Sequence, residues 1–296
     1  MATTLPGWRP TLWSSNIIVD TDKAFVYAGL VNRDYEGEIT GKGNIVRILE
    51  VGDITINDYA ENSDMTTQTL TGAERDLVIT ESKYFNFGVD DVLAAQANAG
   101  LLGKGTQKAA FAIANTVDRF LAGKYTEAGI TTSGLGSSGT SLTLYATHLT
   151  AASNLLGMYS SVLRYMDEAE VPSQGRFMVI PPWMHAYLTY AQVIDNTNKG
   201  GMKSPNSQAA GNGYIGSLMG IDLFVSNNVS TDGTQYRCPF GNRSAISFAG
   251  QITKIKSGPI EKQFGNFVAG QYVYGAKVVR PDQLGVAYLA AGGLST

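Results

Sequence analysis

The sequence predicts an α+β fold, in which helices and strands occupy separate stretches of the chain. Residues 44–58 and 74–89 are rich in β-branched and aromatic residues, which is typical of strands. Residues 106–125 and 147–168 instead repeat apolar residues at helical spacing. Strand-like sequence returns at residues 270–290, so strands are expected both before and after the two helices.

The composition favours a protein that packs against others. Charged residues make up 16% of the chain, against a usual share of about a quarter, so much of the surface is neutral. Residues 1–83 hold 7 Lys/Arg and 13 Asp/Glu, whereas residues 250–296 hold 5 Lys/Arg and 2 Asp/Glu. The acidic part either lies on a less acidic surface, its own or a neighbour's, or is a solvated loop. The net charge of −3 argues against a strongly basic nucleic-acid-binding surface.

The N-terminal residues 1–35 show no clean periodicity and predict an extended start. Trp8 and Trp13 lie close to prolines, and two such large aromatic side chains need to be buried by their own domain or by a partner. The sequence has neither a secretory signal nor 18 uninterrupted apolar residues, and Cys238 is its only cysteine. We therefore expect an intracellular product without a membrane span or disulfide.

The strand-like runs 44–58 and 74–89 flank a polar, turn-rich segment, so they predict a long β-hairpin. A two-stranded hairpin buries little core of its own. Support from outside the hairpin is therefore expected.

The central part of the chain predicts helices and short strands in alternation. A short apolar strand at residues 176–182 ends at two prolines, and Pro182 suits the first turn of a following helix. Residues 220–229 and 244–250 predict short strands. The 106–125 helix is predicted to have one apolar face, formed by Ala110, Ile113, Val117, Phe120 and Leu121. The C-terminal strand is predicted to have four residues on one side, which are Tyr272, Tyr274, Ala276 and Val278.

Residues Gly211–Gly216 spell G-x-G-x-x-G, the pattern of a dinucleotide-binding turn. That turn needs a strand before it and a helix after it, but here a polar loop precedes and a strand-like run follows. The glycines are better explained by tight backbone turns, and a nucleotide-binding enzyme stays the less favoured alternative. His148, His185 and Cys238 show no metal-binding spacing, so no catalytic, cofactor-binding or metal-ligating residue is expected.

Four stretches follow one another along the chain at residues 85–100, 175–188, 213–229 and 274–287. In this order they resemble the major capsid proteins of tailed bacteriophages with the Hong Kong 97-type fold. The run "FNFGVDDVLAAQANAG" resembles the entry to that family's long spine helix, and "GRFMVIPPWMHAYL" resembles a strand, proline stop and helix of its apical domain. The run "GYIGSLMGIDLFVSNNV" resembles its glycine-punctuated strand, and "YGAKVVRPDQLGVA" its closing strand.

The resemblance implies four parts of the fold. They are an N-terminal arm (1–35), an extended β-hairpin called the E-loop (36–83), a peripheral domain with the spine helix (84–150 and 250–296) and an apical domain (151–249). It implies a structural protein, not an enzyme, that forms hexamers and pentamers of an icosahedral head around double-stranded DNA. The expected partners are other copies of the chain, a separate scaffolding protein, a portal protein and DNA bound non-specifically, without a cofactor or membrane. The expected location is the virion capsid, and the host cytoplasm during assembly.

Within this resemblance, residues of the arm and the hairpin are the candidates for contacts between subunits. They are Trp8, Trp13, Glu38, Arg47, Glu50 and Arg75. An encapsulin-like shell, which shares the fold and packages enzymes instead of DNA, is the alternative that the sequence leaves open.

Overall fold

The structure is a computed structural model that describes residues 26–35, 45–51, 54–58, 61, 64, 67–69, 72–90, 101–144, 150–190, 213–260 and 264–292. Its strands are β1 (Ile45–Val51), β2 (Gly72–Val78), β3 (Glu81–Asp90), β4 (Leu142–Leu144), β5 (Arg176–Ile180), β6 (Tyr214–Leu218), β7 (Ile221–Val225), β8 (Ser230–Thr231), β9 (Tyr236–Asn242), β10 (Ile246–Pro259), β11 (Gly265–Val278) and β12 (Leu284–Ala291). Its α-helices are α1 (Leu101–Ala122), α2 (Thr150–Glu168) and α3 (Pro182–Tyr190). The α+β prediction is confirmed, and α3 begins at Pro182 as predicted.

A three-stranded antiparallel sheet in the order β10-β11-β3 supports helix α1. The ring of Phe120 meets Tyr274 of β11 edge to face, with centroids 5.1 Å apart. The predicted apolar face of the helix is the face that packs: Ala110, Val117 and Leu121 are buried, and Ile113 and Phe120 pack against the core. The side of β11 predicted from Tyr272, Tyr274, Ala276 and Val278 is buried as well.

The second sheet has seven strands, in the order β4-β12-β9-β5-β7-β6 with β8 added beside β9. Every residue of β5 is buried, and after Arg176 its sequence is continuously apolar, as expected of a strand that is covered on both faces. Helix α2 contributes Tyr159, Val162 and Met166 to the same core. Because one apolar cluster includes residues from both sheets and all three helices, this core joins the described parts of the subunit.

The run 74–89, predicted as one arm of a hairpin, forms two strands. Strand β2 pairs with β1 in a hairpin, whereas β3 leaves it and pairs with β11. The chain changes sheets between Val78 and Glu81, where it crosses Gly275 of β11 so closely that a Cβ there would overlap the Val78 carbonyl oxygen. The hairpin is therefore shorter at its base than the sequence predicts, and a distant glycine permits the crossing.

The C-terminal run 270–290 is also divided. Strand β11 ends at Val278, a single 3₁₀ turn (Pro281–Gln283) follows, and β12 pairs with β9 in the seven-stranded sheet. Pro281 accounts for the break, because proline has no N–H to continue the ladder. Residues 284–291 thus share a sheet with strands of the predicted apical segment, and the division into domains stays a prediction.

The crossing at Gly275 gives a test of the fold. We expect Gly275→Ala to lower the free energy of unfolding by about 1–3 kcal/mol, because a Cβ would also lie 2.9 Å from the Ile79 Cα. Gly258→Ala is the matched control in β10, since its Cβ would lie an ordinary 3.5 Å from Phe267. Urea unfolding of the unassembled subunit measures both, and equal effects would contradict the close crossing.

Candidate assembly surfaces

The base of the hairpin, defined as β1 and β2, has a charged outer face. Arg47 lies directly opposite Asp76 and diagonally from Glu74. Its guanidinium is 3.1 Å from the Asp76 carboxylate and 3.2 Å from that of Glu74. All three side chains are exposed, so this ion-pair cluster adds little stability. The predicted contact residue Arg47 is thus already paired within its own hairpin.

The inner face of the hairpin base is apolar and holds the hairpin on the subunit. Val46, Ile48 and Leu77 are buried in a small cluster with Ala249 of β10 and Val279. These side chains alternate with the charged ones along each strand, as the pleat of a strand requires. The outside support predicted for the hairpin is therefore this apolar contact with the body.

Arg75 lies on the other side of the hairpin from Arg47. It is directly opposite Ile48 and two residues before Leu77, so it shares the inner face and is half-buried. The two arginines that the sequence predicts as equivalent contact residues are therefore in different environments.

The tip of the hairpin, defined as residues 52–71, is exposed wherever it is described. Ile54 and Ile56 are 66% and 94% exposed, and the Thr55 N–H donates a hydrogen bond to Gln68 Oε1 at 2.9 Å. The tip contains 4 acidic residues and no Lys or Arg. These two isoleucines therefore form an apolar patch on an otherwise polar tip.

A basic counterpart lies on the outer half of β10. Lys254 and Lys256 are both exposed and, being two residues apart, point to the same side of the sheet. Neither forms an ion pair within the described part of the chain. Large exposed aromatic side chains, Tyr84 on β3 and Phe264 before β11, lie on the same three-stranded sheet.

The last residues of the predicted N-terminal arm belong to the body of the subunit. In the root segment, defined as residues 26–32, Tyr27 and Leu30 are buried. The Asn32 N–H donates to the Ile246 carbonyl at 2.8 Å, and the Asn32 carbonyl accepts the Phe248 N–H at 2.9 Å. The root segment thus extends the three-stranded sheet beside β10.

Asp118 of helix α1 fixes the start of this root segment. One carboxylate oxygen accepts the backbone N–H groups of Val26 and Tyr27, at 3.1 and 2.8 Å. The other oxygen accepts the Asn228 side-chain amide at 3.2 Å and faces the Ser226 hydroxyl at 3.5 Å. Burial raises the pKa of Asp118, and these hydrogen bonds oppose the shift. The sequence did not single out Asp118, although an acidic residue next to the buried Val117 on an apolar helix face indicates a carboxylate with hydrogen-bond partners inside the fold.

Most of the other predicted contact residues lie outside the described part of the chain. These are Trp8, Trp13 and Glu38. Glu50 is placed by its backbone, which pairs with Ala73 in the hairpin, while its side chain is not described. The roles of all six candidates between subunits stay predictions.

The glycine motif forms the entry to a strand. Gly213 has φ +72°, its carbonyl accepts the Val225 N–H at 2.7 Å, and β6 begins at the next residue. A dinucleotide-binding turn would lead into a helix instead. Gly211 lies outside the described residues. The structural role predicted for these glycines fits this geometry.

The described residues contain no group of three or more His, Cys, Asp or Glu side chains that could hold a metal ion. Cys238 is buried, and this burial raises the pKa of its thiol far above the ordinary value. None of the helices described is long and apolar enough to span a membrane.

The chain belongs to the phage capsid protein family, whose model matches residues 74–289. It is similar to a solved structure from Mycobacterium phage Che8, with 25% identity and a TM-score of 0.67 over 97% of this chain and 94% of the other. It also resembles the capsid of cyanophage P-SCSP1u, with 17% identity and a TM-score of 0.66 over 99% and 91% of the two chains. The mature capsid of bacteriophage PhiM1 gives 12% identity and a TM-score of 0.61 over 86% and 84%. A sequence search of curated proteins finds no match.

The predicted resemblance is therefore confirmed. The chain is a major capsid protein of tailed phages, a structural protein of the virion, with the mixed helix and sheet fold of Hong Kong 97-like capsids. These matches favour neither the nucleotide-binding enzyme nor the encapsulin-like alternative.

The two faces of the hairpin base lead to opposite expectations. Leu77→Ala removes a fully buried side chain, so we expect the free energy of unfolding to fall by about 2–5 kcal/mol. Arg47→Gln is the matched change on the exposed face of the same hairpin and should have little effect, because water and salt screen its ion pairs. Urea unfolding of the unassembled subunit compares the two variants. A larger loss for Arg47→Gln would show that the ion pairs hold the hairpin.

The pKa of Asp118 predicts a pH dependence. Because this pKa is raised above its ordinary 3.8, the folded subunit holds the Asp118 proton more tightly than the unfolded chain does. The stability that the residue contributes is full below the unfolded pKa and is lost as the pH rises through the folded pKa. The amide of the Asp118→Asn variant does not titrate, so the advantage of the wild type over this variant should grow as the pH falls from about 7 to about 4. Urea unfolding across this range measures it, and an advantage that shrinks or stays constant would contradict the raised pKa.

Proposed function

We propose that this capsid protein assembles itself into hexamers and pentamers that form an icosahedral head around double-stranded DNA. The observation that carries the proposal is the hairpin: its base is buried on its own subunit, while Ile54 and Ile56 at its tip are left uncovered. A projecting element of this kind gains its missing burial from a neighbour. Under this proposal the hairpin is the E-loop. Residues 1–35 are the N-terminal arm, and the root segment anchors this arm to the body of the subunit.

Charge sets the orientation of the contact. The acidic tip of one subunit, with Asp58 and Asp64 exposed, is proposed to lie on Lys254 and Lys256 of the next subunit. A tip that contacts a different patch on the neighbour makes a head-to-tail interface, and such interfaces form rings when the rotation that relates neighbouring subunits closes. Complementary charge favours this register over the contact of two acidic tips.

The remaining partners follow from the family resemblance. We propose a separate scaffolding protein and a portal protein as partners, with assembly in the host cytoplasm before the protein becomes part of the virion capsid. The net charge of −3 suits a shell that encloses DNA without binding it tightly, because strong binding would oppose packaging and ejection. We also propose that residues 84–150 and 250–296 form the peripheral domain and residues 151–249 the apical domain, with residues 284–291 completing the apical sheet.

The function is tested by charge exchange between the tip and strand β10. The wild type, expressed with its candidate scaffolding protein, should form uniform shells in negative-stain electron microscopy. Lys254→Glu combined with Lys256→Glu should reduce the yield of shells, and so should Asp58→Lys combined with Asp64→Lys, because each pair of changes places like charges together. The chain carrying all four changes should recover shells.

The matched control keeps the charge: Lys254→Arg with Lys256→Arg should assemble as the wild type does. Failure of the four-change chain to recover shells would overturn the proposed pairing. Wild-type particles that stay uniformly small and bind NAD or ATP would overturn the proposed function itself.

A further inference from the structure

A pocket of about 380 Å³ opens beside the root segment. Val26 and Gly29 form one wall, and the aromatic rings of Tyr214 and Phe224 form the other, with ring centroids 5.3 Å apart. Val26, the first described residue of the predicted N-terminal arm, is one of the residues that line this pocket.

The polar groups of the pocket favour a neutral aromatic side chain as its occupant. The Arg243 guanidinium is 3.3 Å from the Asp222 carboxylate and lies over the Phe224 ring at 5.9 Å, so the two charges already satisfy each other. Burial and the adjacent Asp222 raise the pKa of Tyr214, so its hydroxyl remains neutral. A carboxylate has several acceptor positions, and Asp222 can therefore also accept an indole N–H.

We propose that this pocket binds Trp13 from the arm of a neighbouring subunit, an inference that rests on the proposed assembly into a shell. The arm carries two tryptophans, and their sequence contexts differ. Trp8 is followed by Arg9, whose guanidinium would compete with Arg243 for Asp222, whereas Trp13 lies between Leu12 and Ser14. Trp13 brings a large apolar ring and one donor, as the walls and the acceptor require.

The length of the arm permits binding to a second copy. Trp13 precedes Val26 by 13 residues, and an extended chain covers about 3.3–3.6 Å per residue, so the indole can reach about 45 Å from the root segment. One subunit can thus supply the indole and the next the pocket.

Disulfide trapping in the full-length chain tests this contact. Ser14→Cys places a thiol beside Trp13, and Gly29→Cys places one on the pocket wall, where an added Cβ meets no atom within 4 Å. Mild oxidation of assembled shells should give covalent multimers on a denaturing gel for the double variant. Each single variant should remain monomeric, because Cys238 is buried. Combining the double variant with Trp13→Ala should abolish most of the cross-linking, whereas Trp8→Ala should leave it unchanged.

Filling the pocket gives an independent test. Gly29→Phe should reduce shell yield, because its Cβ would meet no atom within 4 Å and the new ring would compete for the pocket. Gly123→Phe is the matched control, since its Cβ also projects into open space. Unchanged thermal unfolding of both variants would show that they fold.

The outcomes separate this inference from the proposed function. Normal shells without cross-links, or a cross-linked monomer formed within one chain, would overturn binding of Trp13 by a neighbour while leaving assembly intact. Loss of cross-linking with Trp8→Ala instead of Trp13→Ala would overturn the choice of residue. A wild-type chain that forms no shells would overturn the proposed function, and this inference with it.

Discussion

The apolar contact between the inner face of the hairpin base and the body is the interaction on which the rest of the structure depends. Leu77 is buried with Val46 and Ile48 against Ala249 and Val279, and this contact attaches the base of the hairpin to the body. Directly after Val78 the chain crosses Gly275, and β3 then leaves the hairpin and pairs with β11 in the three-stranded sheet. A single short segment thus both attaches the projecting element and completes the surface on which helix α1 packs.

This arrangement divides the hairpin into two parts with different physical roles. The base has a buried face and belongs to the folded subunit, whereas the described residues of the tip include exposed isoleucines and acidic groups, which the proposed assembly would bury against another subunit. The root segment is likewise held by its own subunit, because Asp118 binds the N–H groups of Val26 and Tyr27 and β10 pairs with Asn32. Under the proposed assembly, the hairpin and the arm are anchored in one subunit and make their remaining contacts with the next subunit.

The sequence predicts the features that local periodicity and proline determine. The buried face of α1, the start of α3 at Pro182 and the shared side of β11 follow from residue spacing alone. The change of sheets after Val78 could not be predicted, because it depends on a close approach to Gly275, almost 200 residues later. The pocket between Gly29 and Phe224 could not be predicted from the sequence either, because its lining residues come from distant segments of the chain. The different environments of Arg47 and Arg75 became clear only once the register of the hairpin was known.

The central claim is that a neighbouring subunit buries the tip of the hairpin, whereas the base of the hairpin is buried by its own subunit. Amide hydrogen exchange, compared between unassembled subunits and assembled shells, tests this most directly. The account predicts that residues 45–51 and 72–78 are protected in both states, because their face is buried in the subunit itself. It predicts that residues 54–58 and 67–69 exchange rapidly in the unassembled subunit and become at least about tenfold slower in the shell. Equally rapid exchange of these tip residues in both states would contradict the account.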